Sequence, residues 1–191
     1  LMDDWFVDVA LSSVGKLVAI MMALTLLERT LLNERPAFFV IAGQRGGGKT
    51  TLVNMVTLAV LGRRAAANAW SENSEERKKA LFAYLRQGGA CLVWDNINRG
   101  ASISCPHIEA ALTAPEISDR VLGESRAETV PSTTVHIFTG NAVLPRGDRL
   151  VEHRRVVVEH VERQAESRRD GAELGLEADQ AARRDQIIQP H

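Results

Sequence analysis

A glycine-rich segment carries the residue types that are best suited to binding phosphate. Residues 43–50 read Gly-Gln-Arg-Gly-Gly-Gly-Lys-Thr and fit the pattern G-x-x-x-x-G-K-S/T at every position. Glycines permit positive φ angles and bring successive backbone N–H groups close to an anion. In such a loop the Lys49 ammonium reaches the β- and γ-phosphates, and the Thr50 hydroxyl is a ligand for Mg²⁺. The motif predicts a nucleotide-binding site.

The segments on either side of this loop have the character that the motif requires. Residues 37–42 form a short apolar run after Pro36, which predicts a strand that ends at the loop. A helix that begins near Lys49 directs the positive end of its dipole toward the phosphates. This context favours a phosphate-binding loop over a simple glycine-rich turn. Beyond the loop, apolar residues recur at helical spacing: Leu52, Met55, Val56, Ala59 and Val60.

A second candidate group ends the apolar run ACLVWDN, residues 90–96. An apolar strand that ends in aspartate is the Walker B pattern, and it predicts that Asp95 lies near Thr50 and holds Mg²⁺ with it. Asn96 stands where a catalytic glutamate usually follows, and an amide orients water but cannot take its proton. Hydrolysis is therefore slow, dependent on a base elsewhere, or absent. Glu75 and Glu76 are acidic candidates, although a solvated first helical turn is the better interpretation of both.

A third strand candidate, VHIFTGN at residues 135–141, ends in a polar amide. We expect Asn141 at the same sheet edge, between the two Walker strands, where it can hydrogen-bond the γ-phosphate or the attacking water. The alternative is that Gly140 and Asn141 form a simple turn. Arginines suited to clamping a phosphate follow or precede this strand, although any one of them is more commonly a surface group: Arg120, Arg146, Arg149, Arg154 and Arg155.

Strands and helices alternate along the chain, which predicts an α/β fold with a mainly parallel sheet covered on both faces. The ligand of such a sheet lies at the carboxyl ends of its strands. We place the N-cap of the helix at 71–87 on Ser74. Further strands are predicted at 65–70, 90–94, 133–139 and 155–161, helices at 14–33, 71–87 and 106–113, and a hairpin at 118–130.

Composition excludes several classes of protein. The chain has 23 Lys and Arg against 24 Asp and Glu, so nucleic-acid contact would need a local basic patch. Cys91 and Cys105 are too few for a disulfide framework and fit a reducing, cytoplasmic setting. Residues 1–4 are not a basic leader, and residues 17–27 are too short an apolar run to span a membrane. We interpret residues 14–33 as a buried helix, and the ends of the chain suggest part of a longer protein.

Together these motifs resemble the P-loop ATPase cores of bacteriophage and mobile-element proteins, which are related to superfamily 3 helicases and the AAA+ class. The resemblance covers roughly residues 5 to 160 and is carried by LVWDNINRG, ALTAPEISDRVLGES and IFTGNAVLPRGD. It implies a three-layer P-loop NTPase fold of the ASCE or AAA+ kind, with an N-terminal helix. It also implies a homo-oligomeric ring that threads single-stranded DNA.

The resemblance also implies residue roles. Asp95 and Thr50 would hold Mg²⁺, Asn141 would be the polar sensor, and one of Arg146, Arg154 or Arg155 would be a finger toward a neighbouring subunit. Lys49 and Asn96 complete the predicted catalytic group. The residues that would bind the phosphates of ATP are Gly43, Gln44, Arg45, Gly46, Gly47, Gly48, Lys49, Thr50 and Thr51.

We divide the chain into an N-terminal helical segment (1–36), a P-loop core (37–161) and a charged C-terminal helix or tail (162–191). The function we expect is ATP binding and hydrolysis in a phage or mobile-element DNA replication protein, associated with a helicase or primase. One alternative is a nucleotide-dependent switch or scaffold with little hydrolysis, for which Asn96 is the argument. Another is a small-molecule kinase, although no motif for binding an acceptor is evident.

Overall fold

The protein has an α/β architecture with a parallel central sheet. The computed structural model describes residues 11–42, 48–99, 102–121, 123–141, 144–145 and 157–160. Four helices lie in these ranges: α1 (Ser13–Glu28), α2 (Lys49–Leu61), α3 (Ser74–Arg86) and α4 (Pro106–Thr113). The strands are β1 (Phe38–Ala42), β2 (Ala66–Ala69), β3 (Cys91–Ile97), β4 (Ser102–Ile103), β5 (Glu116–Arg120), β6 (Ala127–Pro131), β7 (Val135–Asn141), β8 (Leu144–Pro145) and β9 (Val157–His160).

Five strands form the main sheet, in the order β2-β3-β7-β1-β9, and every neighbouring pair is parallel. The predicted mainly parallel sheet is therefore confirmed. Strand β7 lies between β1 and β3, which is the position predicted for the strand that ends in Asn141. Strands β5 and β6 pair antiparallel and confirm the hairpin, while β4 and β8 form a short parallel pair.

Side chains alternate between the two faces of the sheet, and helices cover both. Phe39, Trp94 and Phe138 face a core that α3 and α4 complete. On the other face, Val40 and Ile137 contact a core completed by α1 and α2. Strand β1 is buried along its whole length. An uninterrupted apolar strand of this kind is what a parallel sheet with two covered faces requires.

Helix α1 differs from its predicted form. It ends at Glu28 rather than near residue 33, and it packs on α2 and β9. Its inner face is buried, but Leu17 and Leu27 on the outer face are each 60% exposed. The predicted buried helix is therefore buried on one face only, because a helix in an outer layer of a three-layer fold is covered on one side. Among the described residues, no helix is both long and apolar enough to cross a membrane.

Two local boundaries also differ from the predictions. The N-cap of α3 is Asn73, not Ser74, because the Asn73 side-chain oxygen accepts a hydrogen bond from the Glu75 N–H at 2.9 Å. Asparagine is among the strongest N-cap residues, so it takes this position one residue earlier. Strand β3 continues to Ile97 rather than ending at Asp95, through an irregularity in its pairing with β7.

Candidate functional site

A cavity of about 640 Å³ lies at the carboxyl ends of β3 and β7, beside the start of α2. It brings together residues from three separate segments of the chain. This is the sheet edge at which open α/β proteins bind their ligands. The residues that line it are Lys49, Thr50, Asp95, Asn96, Ile97, Asn98, Arg99, Thr139, Gly140 and Asn141.

The start of α2 is shaped for contact with an anion. Its N-cap is Gly48, which has a φ of +83° that a residue with a side chain would adopt only at a cost. A glycine cap offers no side-chain acceptor to the first N–H groups of the helix. Those groups, together with the helix dipole, favour a negative charge at this end.

The Lys49 ammonium is held at the sheet edge by the end of β7. Its Nζ donates a hydrogen bond to Oδ1 of Asn141 at 2.8 Å. Burial lowers the pKa of Lys49 from its ordinary value, and the negative charge of Asp95 acts in the opposite direction. The ammonium therefore contacts the Asn141 amide and feels the charge of Asp95, and all three residues line the cavity.

The interpretation of Gly140 and Asn141 as a turn is wrong. Both residues belong to β7 and pair with Ile41 and Ala42 of β1. Asn141 consequently lies beside the last residue of β1, next to the start of the predicted phosphate loop. The prediction that Asn141 lies at the carboxyl edge of the sheet, in the strand between the other two, is confirmed, since β7 lies between β1 and β3.

Asp95 and Asn96 occupy a bulge in β3. Trp94 pairs with Phe138 and Ile97 with Gly140, so two residues of β3 stand opposite a single residue of β7. Asn96 has a φ of +59° and is exposed, while Asp95 is half-buried. Both line the cavity, and asparagine is one of the few residues with a side chain that tolerates this left-handed backbone.

Thr50 and Asp95 supply oxygen donors of the kind that Mg²⁺ takes. Both line the cavity, one as a hydroxyl and the other as a carboxylate. Within the described ranges, no cluster of three or more His, Cys, Asp or Glu could hold a metal on its own. Mg²⁺ commonly takes one or two protein ligands and completes its shell with phosphate and water. The donor set therefore fits Mg²⁺ bound together with a phosphate.

Other predicted residues lie away from this cavity. Glu75 and Glu76 are exposed on the first turn of α3, and Glu76 pairs with Lys79 at 2.8 Å, which favours the solvated-turn interpretation. Arg120 is exposed on β5, and Thr51 lies on the first turn of α2 without lining the cavity. Several predicted residues fall outside the described part of the chain: Gly43, Gln44, Arg45, Gly46, Gly47, Arg146, Arg149, Arg154 and Arg155.

Sequence reasoning missed three polar side chains of the cavity. Thr139 is fully buried and its hydroxyl donates a hydrogen bond to the Asp95 carboxylate. Asn98 and Arg99 follow the bulge, and the Asn98 amide donates to the Glu72 carboxylate at 3.4 Å. Asn98 and Arg99 follow Asp95 within four residues, and this short distance in the sequence could have indicated that they line the same cavity. For Thr139, the only such signal was its position two residues before Asn141.

No protein-family model matches the chain, and a search of curated proteins finds no match.

Proposed function

We propose that the chain is an ATP-binding P-loop domain that acts with Mg²⁺ in a phage or mobile-element DNA replication protein. The observation that carries the proposal is the convergence of Lys49, Thr50, Asp95 and Asn141 on one cavity. Lys49 and Asn141 are 92 positions apart in the sequence, yet their side chains form a hydrogen bond. The sequence joins the glycine-rich segment 43–47 directly to Gly48 at the start of α2, and in this proposal its backbone N–H groups would bind phosphate.

Each residue has a definite role in this proposal. Lys49 neutralises charge on the β- and γ-phosphates, and the N-terminus of α2 adds N–H donors. Thr50 and Asp95 hold Mg²⁺, which offsets phosphate charge when it is bound. Asn141 orients Lys49 through its Oδ1 atom and leaves its amide NH₂ group to contact a γ-phosphate or a water molecule.

The strand order supports the ASCE kind of P-loop fold. In the resembling ATPase cores, an additional strand separates the strand before the phosphate loop from the Walker B strand. Here β7 separates β1 from β3, and its last residue is the proposed sensor. The role in DNA replication and the ring assembly rest on the resemblance of sequence segments.

ATP turnover with and without single-stranded DNA tests this function. Turnover that DNA stimulates supports a helicase-associated ATPase. Mass measurement with ATP and Mg²⁺ then reports whether subunits assemble into a ring. Absence of ATP binding in an equilibrium titration would contradict the proposal altogether.

A nucleotide-dependent switch with little hydrolysis is a second candidate, and the cavity itself favours it. Asp95 is the one carboxylate among the described residues that line the cavity. Its role in holding Mg²⁺ leaves it unsuited to take a proton from water. Tight ATP binding with negligible turnover, in the presence or absence of DNA, supports the switch. A wild-type rate of about one per second or more contradicts it, since the median enzyme turns over about ten times per second.

The backbone at Asn96 leads to a prediction about stability. Because its φ is +59°, we expect Asn96→Gly to leave the free energy of unfolding nearly unchanged. Asn96→Ala should lower it by about 1 kcal/mol, because an ordinary side chain is strained in the left-handed region. Chemical denaturation of the two variants measures the difference. Equal stability of the Ala and Gly variants would show that the bulge relaxes without cost.

Asn96→Glu places a side chain that is strained in the left-handed backbone at position 96, and it also adds a carboxylate that can act as a general base in ATP hydrolysis. If the site lacks only a general base, single-turnover hydrolysis should rise by part of the roughly 10²–10⁴-fold that such a base supplies. We expect a gain, accompanied by the loss of stability shared with Asn96→Ala. Mg²⁺ saturation must be checked for each protein, because a second carboxylate beside Asp95 disturbs the metal site. A flat or lower rate at saturating Mg²⁺ would mean that Asn96 itself positions the water.

A further inference from the structure

Thr139 is a buried polar residue whose side chain is directed at the proposed metal ligand. Its side chain is 1% exposed, and it lies in β7 two residues before Asn141. The alternation of β7 places Val135 and Ile137 in the core beneath α1 and α2. Thr139 continues this series, so it belongs to the face of the sheet on which α2 carries Lys49.

The pairing of the two strands brings Thr139 to Asp95. Trp94 is in register with Phe138 and Ile97 with Gly140, so Asp95 and Asn96 both stand opposite Thr139. Of these two bulge residues, Asn96 has the left-handed φ of +59°. Asp95 is half-buried and its carboxylate contacts the Thr139 hydroxyl, whereas Asn96 is exposed.

The Thr139 hydroxyl donates its hydrogen bond to the Asp95 carboxylate. Oγ1 donates to Oδ1 of Asp95, whereas the carbonyl oxygen of Trp94 lies at 3.5 Å, the outer limit for a bond. A hydroxyl has a single proton to donate, and a carboxylate is a stronger acceptor than a backbone carbonyl at the outer limit of distance. One carboxylate oxygen is thereby engaged within the sheet, and Oδ2 has no such contact among the described residues.

We propose that Thr139 is a positioning residue for Asp95: its hydroxyl holds the carboxylate in the orientation that presents an oxygen to Mg²⁺. This rests on the proposed function, because it assigns Asp95 to the metal. A half-buried side chain that lines a cavity can rotate unless a neighbour restrains it, and a well-formed metal site holds its ligands in place through such neighbours. Thr139 supplies that restraint from the strand that also carries the sensor.

The test compares the Mg²⁺ requirement of ATP binding in Thr139→Val and Thr139→Ser. Valine keeps the shape of threonine without the hydroxyl, and serine keeps the hydroxyl. We expect Thr139→Val to raise about tenfold the Mg²⁺ concentration at which half of the Mg²⁺-dependent increase in ATP affinity is reached. A tenfold change corresponds to the loss of one hydrogen bond to a charged group. Thr139→Ser should stay within about twofold of wild type. ATP affinity in EDTA should be unchanged in both variants, because the hydroxyl acts through the metal ligand.

Thr134→Val is the matched control. Thr134 is equally buried, and its hydroxyl donates to the Gly89 carbonyl oxygen at the opposite edge of the sheet. The Thr134→Val variant loses a buried hydrogen bond from a hydroxyl, but it should not change the Mg²⁺ requirement of ATP binding. A Thr139→Val variant with the wild-type Mg²⁺ requirement would overturn the proposal. The proposal would also be overturned if Thr139→Ser raised the Mg²⁺ requirement as much as Thr139→Val does. An equal rise in the Thr134→Val control would overturn it as well.

Crystal structures of the variants give a readout that needs no nucleotide. We expect the Asp95 carboxylate to keep its orientation in Thr139→Ser and to rotate or become disordered in Thr139→Val. An unchanged carboxylate in the valine variant overturns the positioning role. If the wild-type protein binds no ATP with or without Mg²⁺, the proposed function fails, and these structures still decide whether Thr139 orients Asp95.

Discussion

Replacing Lys49 with alanine should weaken ATP binding by about 100-fold or more. The ammonium is the cation at the start of α2, and in the proposed site it meets two phosphates at once. Hydrogen bonds to charged groups are worth about 1.5–3 kcal/mol each, and every 1.4 kcal/mol is about tenfold in affinity. An equilibrium titration with ATP, with and without Mg²⁺, measures the loss, which should appear under both conditions.

The fold should survive this substitution. Lys49 is only partly buried, and Asn141 lines an open cavity where water can replace the lost donor. We expect the free energy of unfolding to change by no more than about 1 kcal/mol. Lys79→Ala is the matched control, because Lys79 is an exposed lysine of α3 whose partner is Glu76. An Lys49→Ala protein that is folded and binds ATP as wild type does would exclude the phosphate-binding role.

Asp95→Asn should abolish most of the increase in ATP turnover or ATP affinity that Mg²⁺ produces. The substitution keeps the size of the side chain and an oxygen that can accept from Thr139, but it removes the negative charge. We expect Mg²⁺-dependent turnover, or Mg²⁺-dependent affinity if turnover is negligible, to fall about 100-fold, since a bound metal supplies several kcal/mol of charge stabilisation. ATP affinity in EDTA should hold or rise, because a negative charge near the phosphates is lost.

The contrast between the two conditions makes this prediction specific. Asp119→Asn is the control, because Asp119 forms an ion pair with Lys78 at 3.1 Å on the hairpin strand β5 and does not line the cavity. It should leave both affinities unchanged. Equal losses with and without Mg²⁺ in Asp95→Asn would mean that the aspartate supports the fold and not a metal.

Local sequence was sufficient for most elements of the sheet and for five residues of the cavity, namely Lys49, Thr50, Asp95, Asn96 and Asn141. Helix α4 has its predicted bounds because Pro106 at its start and its apolar spacing are local signals. The apolar runs that became β1, β3 and β7 were evident because strands buried on both faces carry almost no polar residues. A parallel sheet then brings their carboxyl ends to one edge, so the sequence alone places Asp95 near Thr50 and Asn141 at the same edge.

The tertiary structure decided which side chains touch and which faces are covered. Whether Asp95 meets Thr139 depends on the register between two strands that are far apart in the sequence, and no local pattern specifies that register. The bulge at Asn96 arises for the same reason, since one extra residue matters only relative to the partner strand. Helix α1 is apolar on all sides, so its sequence does not say which side is buried; only packing on α2 and β9 selects that face.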